Sequence, residues 1–222
     1  GLLGPNGAGK TTTISMLCGL VPSDGGEITI AGHAGGTLEA KASVGYVPQD
    51  LALYPDLSAV ENLTFFGELY RLSGKELQTR IAETLELVGL ADRGKDRIGT
   101  YSGGMKRRLD LGASLVGAPR LLLLDEPTTG LDPQSRRQLW ERIETMKKAG
   151  RSVLLTTHSM EEAQAICDRV AIMDHGRIIA VDNPTALVEK HKDDADVRAV
   201  MRLPYPTLED VFISLTGRAV RR

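Results

Sequence analysis

The 222-residue chain has little to tie it directly to a membrane, a polyanion or an oxidising compartment. Its longest strongly apolar run, Leu121-Leu122-Leu123-Leu124, falls far short of the ~20 residues that a spanning helix requires. Any membrane association must therefore come through a partner. Aromatic residues make up 4% of the chain, too few for a platform that stacks single-stranded nucleic acid. Charged residues reach 25% but nearly cancel, leaving a net charge of −2, so no nucleic-acid partner is expected. The one compact basic cluster, Lys106-Arg107-Arg108, splays around a helix and reads as a solvated face. Cysteine is scarce as well. Cys18 and Cys167 have neither pairing nor metal spacing and read as small core residues of a reducing compartment.

What is present is an alternation of strand and helix signals. Residues 10–20 read as a helix ended by Gly19 and Pro22, Glu27 to Ile30 as a strand, and Val44 to Val47 as a short buried strand stopped at Pro48. From Leu53 to Ala118 the strand-like runs vanish and helical periodicity takes over, as in Leu77, Ile81, Leu85 and Val88. Ser102 then caps a helix reaching roughly Gly117. Leu121 to Leu124, apolar at every position, reads as a central parallel strand buried on both faces. A helix from Pro133 to Ala149, a strand from Val153, a helix around Met160 to Cys167 and a hairpin across Asp174-His175-Gly176 follow. The charged tail ends in Leu208 to Leu215, an amphipathic helix. This alternation predicts a three-layer α/β core interrupted by a helical insertion.

The chemistry begins at Gly4-Pro5-Asn6-Gly7-Ala8-Gly9-Lys10-Thr11-Thr12, which fits the phosphate-cradle pattern. Gly4, Gly7 and Gly9 let backbone N–H groups approach a polyphosphate with no side chain in the way. Lys10 carries a mobile charge to the outer phosphates, and the Thr11 hydroxyl is a hard oxygen suited to Mg²⁺. The helix that starts here points its positive end at the anion. A cradle alone fits kinases, GTPases and motors equally.

Further positions narrow the choice. Asp125 and Glu126 close the all-leucine strand, at the edge where open α/β sheets bind ligands. An Asp there can serve Mg²⁺, and a second carboxylate can deprotonate an attacking water; two acids at a strand end can also be a solvated turn. His158 ends another strand and can reach a terminal phosphate, although a strand-end histidine is often structural. Gln49, after the Val44 to Val47 strand, can touch metal and water. Ser102-Gly103-Gly104 opens a second helix with exposed amides, again an anion site. One nucleotide does not need two such sites, so the second is expected to face the nucleotide of another copy, reciprocally across a twofold axis.

With these motifs in order over essentially the whole chain, the sequence resembles the nucleotide-binding subunit of ATP-binding-cassette transporters. Gly4 to Thr12 matches that family's Walker A, Gln49 its Q-loop and Ser102-Gly103-Gly104 its signature. Leu121 to Glu126 matches the Walker B with its catalytic glutamate, Thr129-Gly130-Leu131-Asp132 the D-loop and His158 the switch histidine. Tyr101 and Met105 depart from the usual Leu and Gln of the signature. With Lys106-Arg107-Arg108-Leu109 and Leu208-Glu209-Asp210-Val211-Phe212, they resemble the drug- and lipid-exporting branch with separately encoded membrane subunits.

The resemblance implies a P-loop NTPase (RecA-like) core with an inserted α-helical subdomain. Residues 1–50 and 119–190 would form the core, 51–118 the helical signature subdomain and 191–222 a C-terminal extension. It implies an ATPase using ATP and Mg²⁺, a second nucleotide-binding subunit, membrane permease subunits, and a place on the cytoplasmic face of the membrane. Glu126, His158, Gln49 and Lys10 would be catalytic, and Thr11, Gln49 and Asp125 would serve the metal. Gly4 to Thr12, with Ser102, Gly103, Gly104 and Asp132, would hold nucleotide. The family's adenine-stacking aromatic lies upstream of the cradle, and Gly1-Leu2-Leu3 reads as the tail of a strand, so the chain reads as an N-terminally truncated fragment. Two other readings remain: a soluble cassette ATPase uncoupled from transport, and a cassette that binds ATP without turnover. Too little room for long coiled coils between Gln49 and Ser102 argues against a repair-type ATPase. Intact Glu126 and His158 argue against a silent cassette.

Overall fold

The computed structural model describes residues 1–217; residues 218–222 of the expected C-terminal extension lie outside the described residues. In chain order the elements are β1 (Leu2–Leu3), α1 (Lys10–Leu17), β2 (Thr29–Ile30), β3 (His33–Ala34), α2 (Leu38–Ala42) and β4 (Val44–Val47). Three helices follow, α3 (Ala59–Leu69), α4 (Gly74–Val88) and α5 (Gly103–Leu115). The chain returns to alternation with β5 (Leu121–Asp125), α6 (Pro133–Lys148), β6 (Ser152–Thr157), α7 (Met160–Ile166), β7 (Val170–Asp174) and β8 (Arg177–Asp182). It ends in α8 (Pro184–His191), α9 (Ala195–Val200) and α10 (Leu208–Thr216).

The fold divides into two compact units, one of Gly1–Thr13 with Leu155 onward, the other of Ile14–Leu154. In the first, β1 runs parallel to both neighbours, pairing Leu2 with Thr156 of β6 and with Ala171 of β7. The last strand, β8, returns antiparallel to β7 through a turn in which His175 and Gly176 both have positive φ. Helix α10 is capped reciprocally by Thr207 and Asp210 and buries Leu208 and Phe212 with Leu3, Val170, Ile172 and Leu187. The amphipathic pattern near the C-terminus thus belongs to the core of this unit.

In the second unit β4 and β5 pair in parallel, Val44 with Leu121 through Val47 with Leu124. Leu122, Leu123 and Leu124 are fully buried, as a strand covered on both faces demands. The stretch between β4 and β5 carries only helices and short 3₁₀ turns, apart from one isolated bridge between Ser58 and Arg97. A capping box of Ser58 and Glu61 starts α3, and Gly89 in the left-handed region ends α4. Helix α1 stops at Leu17, sooner than the sequence suggests, because Gly19 adopts positive φ.

Candidate functional site

In the first unit, the loop leaving β1 is tied down before it turns. The Gly4 N–H donates to the Thr157 carbonyl at 3.2 Å, at the end of β6. A Cβ on Gly4 would lie 2.3 Å from the Met173 carbonyl oxygen, so only glycine lets the chain leave the sheet here. Gly7 and Gly9 take φ of 81° and 102°, in the left-handed region. The Ala8 N–H closes the turn onto the Pro5 carbonyl (3.2 Å), and the Gly176 N–H reaches the Ala8 carbonyl (2.8 Å) from the hairpin. Helix α1 opens at Lys10, whose side chain is 4% exposed and donates from Nζ to the carbonyls of Gly4 (2.8 Å) and Pro5 (3.1 Å). Thr11 and Thr12 stand exposed in its first turn. A glycine cradle, a helix N-terminus and a lysine folded over the loop fit a polyphosphate.

The same unit holds His158, half-buried directly after β6. Its position is set from both sides. The Ser159 N–H donates to Thr157 Oγ1 (2.9 Å), and Ser159 Oγ caps α7 by accepting from the Glu162 N–H.

In the second unit, β4 gives way to Pro48 and an exposed Gln49, while β5 ends in Asp125, 1% exposed. Glu126 follows with φ of 45°, a conformation that a residue with a side chain holds only when its surroundings enforce it. Its Oε2 accepts from Thr129 Oγ1 at 3.1 Å. Asp125 makes its charge felt nearby. Burial pushes the Cys18 thiol up to about 11 and the Tyr46 hydroxyl up to about 12, and the Asp125 charge adds to both shifts. Both cysteines are half-buried, and Cys18 is no reactive thiolate.

The basic cluster that reads from the sequence as a solvated face is not one. Arg107 is 6% exposed and spreads its guanidinium over the ends of both strands. Nε donates to the Pro127 carbonyl (2.8 Å), Nη1 to those of Pro48 (2.6 Å) and Gln49 (3.3 Å), and Nη2 to those of Asp125 (3.1 Å) and Glu126 (3.5 Å). Nη1 also meets Asp110 Oδ2 at 3.2 Å, and Asp110 Oδ1 accepts from the Ala52 N–H. Arg108 donates to the carbonyls of Val88 and Gly89, covering the exposed carbonyl end of α4. A signal was available in the sequence: Arg107, Asp110 and Ser114 recur at spacings that place them on one face of α5.

Burial raises the Asp110 carboxyl to about 6 despite the opposing pull of Arg107. The folded chain thus keeps this proton to about pH 6, whereas an unfolded Asp releases it near pH 4. The contribution to stability is complete below pH 4 and is lost as pH rises through 6. Asparagine cannot titrate, so Asp110→Asn should gain roughly 2–3 kcal/mol relative to the parent between pH 4 and 7. Urea unfolding of both proteins across that range checks this, and parallel curves would contradict it.

Ser102 caps α5 by accepting from the Met105 N–H at 3.2 Å, and both Ser102 and Gly103 are exposed. Gly104 has a packing duty as well: a Cβ there would sit 2.3 Å from Ser135 Oγ on α6. Asp132 caps α6, accepting from the Gln134 and Ser135 N–H groups at 3.0 Å. Hydrogen bonds from Ser135 above all hold its carboxyl below the usual range. Gln49, Ser102, Gly103, Gly104, Asp125, Glu126 and Asp132 thus share the second unit, while Gly4 to Thr12 and His158 share the first. Among the described residues no helix is long and apolar enough to cross a membrane, and no His, Cys, Asp and Glu cluster could hold a metal by itself.

A family model described as ABC transporter matches residues 1–129. The linearmycin resistance ATP-binding protein LnrL of Bacillus subtilis is 50% identical over 215 residues, covering 96% of this chain and 68% of that protein. The Nod factor export ATP-binding protein I of Cupriavidus pinatubonensis is 44% identical over 269 residues, covering all of this chain and 83% of that protein. The daunorubicin resistance ATP-binding protein DrrA2 of Streptomyces coeruleorubidus is 48% identical, and the match spans 59% of its length. Among solved structures, cbiO1 of Clostridium perfringens, part of an ABC transporter complex, superposes with a TM-score of 0.78 at 28% identity, covering 91% of this chain and 83% of its own. A dimeric post-hydrolysis ATP-binding cassette bound to ADP and Pi gives a TM-score of 0.71 at 25% identity, covering 82% and 83%. With the cradle in place at the end of β1 and these likenesses running along nearly the whole sequence, the chain belongs to the ABC transporter family, as an ATP-binding ATPase subunit.

Proposed function

We propose that the chain hydrolyses ATP as one of two closing cassettes and so drives export of a drug-like, lipid or other substrate through separate membrane subunits. The observation that carries this reading is the 50% identity to a resistance ATP-binding protein over 96% of the chain, supported by the relatives named for export. Lys10 and the amides of Gly4 to Thr12 bind the phosphates. Thr11, Gln49 and Asp125 are the residues that would hold Mg²⁺, which when bound neutralises charge on the outer phosphates. A Thr hydroxyl, a Gln amide and one carboxylate suit that hard ion. Glu126 takes the proton of the attacking water, and Gln49 and His158 sense the terminal phosphate. Ser102, Gly103, Gly104 and Asp132 complete the site of a second copy of the cassette.

Residues 1–50 and 119–190 serve as the nucleotide core, 51–118 as the signature subdomain and 191–222 as an extension. The second unit offers a surface for a membrane partner. A groove of about 290 Å³ is lined by Tyr46, Ala52, Phe66, Tyr70, Ala113 and Asp110. Beside it Leu51, Tyr54, Phe65 and Leu69 are exposed, a concentration of apolar surface that marks docking sites. This contact would keep the subunit on the cytoplasmic face of the cell membrane. The test is to reconstitute the protein in vesicles with any polytopic membrane protein found to be encoded beside it, using linearmycin as the probe. ATP-dependent movement of the probe, lost with Glu126→Gln, is the expected result. Hydrolysis with no movement of probe and no response to the membrane protein would favour a soluble ATPase.

A further inference from the structure

Glu126 and Gln49 follow two adjacent strands of the second unit, and neither is held in place by its strand alone. Glu126 has already left β5 and sits in the left-handed region, while Gln49 lies past Pro48, outside β4. What binds both positions is one side chain. The Arg107 guanidinium donates to the carbonyls of Pro48 and Gln49 on one loop and to those of Asp125, Glu126 and Pro127 on the other. Asp110, 3% exposed, fixes the guanidinium from the next turn of α5 and ties in the Ala52 N–H. Five residues before Arg107, the same helix begins at Ser102.

We propose that Arg107, braced by Asp110, is a positioning residue for ATP hydrolysis, clamping the backbone at Gln49 and Glu126 in register with the helix that carries Ser102. The inference rests on the roles given to Glu126 and Gln49 above. Its physical basis is the shape of the group. A planar fork with five N–H donors can span carbonyls on two separate loops, whereas a lysine ammonium presents three donors from one nitrogen. Displacement of a base by about 1 Å can cost a hundred-fold in rate without changing what binds. The clamp also makes Glu126's strained backbone a fixed feature, since three consecutive carbonyls around it are held at once.

The test uses the full-length protein with ATP and Mg²⁺. Arg107→Lys keeps the charge but not the fork, and should lower kcat about 10- to 100-fold, the usual effect of losing a supporting hydrogen-bond partner. ATP affinity, read with a fluorescent ATP analogue, should stay at the parental value, because the phosphate cradle is untouched. Arg107→Gln should do no better. Asp110→Asn, which keeps shape and size, should show a smaller fall in kcat at parental KM and decides the matter if both Arg107 variants fail to fold. Wild-type kcat in a folded Arg107→Lys protein overturns the proposal. So does a loss of kcat that merely follows the folded fraction measured by circular dichroism. Glu126→Gln run alongside separates the claims: wild-type turnover there overturns the role of Glu126, whereas a dead Glu126→Gln beside a fully active Arg107→Lys overturns the clamp alone.

Discussion

Replacing Glu126 with glutamine in the full-length protein should cut ATP turnover at least about a hundred-fold, the scale of losing one transition-state group. That is roughly 2.7 kcal/mol of barrier. The substitution is close to isosteric, and the neighbourhood should survive it. The Thr129 hydroxyl that donates to Glu126 Oε2 can donate equally to an amide oxygen, and the backbone at Glu126 is bonded through its carbonyl, not its side chain. What is lost is the ability to accept a proton. ATP binding should therefore persist, and nucleotide-bound dimers should accumulate because the step that releases them is blocked. Phosphate release, analogue binding and light scattering on one preparation read all three. Parental turnover would remove Glu126 from its role, and loss of binding together with turnover would show a damaged fold instead.

Ser102→Arg should be as severe by a different route. Ser102 and Gly103 are exposed at the start of α5, and a Cβ on Gly103 would meet nothing within 4 Å, so this corner of the protomer faces open space. Within the protomer, the substitution removes the Ser102 cap on the Met105 N–H, worth about 1 kcal/mol. In a closed pair it would place a long cation where a second copy's terminal phosphate is proposed to sit, and block the approach of the helix amides. Turnover and ATP-dependent dimerisation should both disappear while the monomer still binds ATP. A closed dimer by light scattering, with parental turnover, would show that the anion site at α5 serves no second nucleotide.

The parts of the fold that were legible in the sequence are those where neighbouring residues carry the information. The cradle could be read because Gly4, Gly7, Gly9, Lys10 and Thr11 act through backbone freedom and one helix start. Strand β5 was visible as four leucines in a row, and the Ser102 cap of α5 and the start of α6 at Pro133 were equally local. Helix α8 has an equally local start, with Asn183 accepting from the Thr185 N–H ahead of Pro184 at the first turn.

Taken alone, the sequence determined the order of the residue types proposed for the nucleotide chemistry, since each of those motifs lies within a few consecutive residues. Only the tertiary structure decided that Arg107 is a buried clamp and not a surface charge. Its carbonyl acceptors lie from 18 to 59 residues away in the chain, and no local pattern shows which carbonyls a folded backbone will leave without donors. The same holds for Gly4 and Gly104, whose missing side chains are explained by the Met173 carbonyl and by Ser135, contacts that exist only once distant segments have packed.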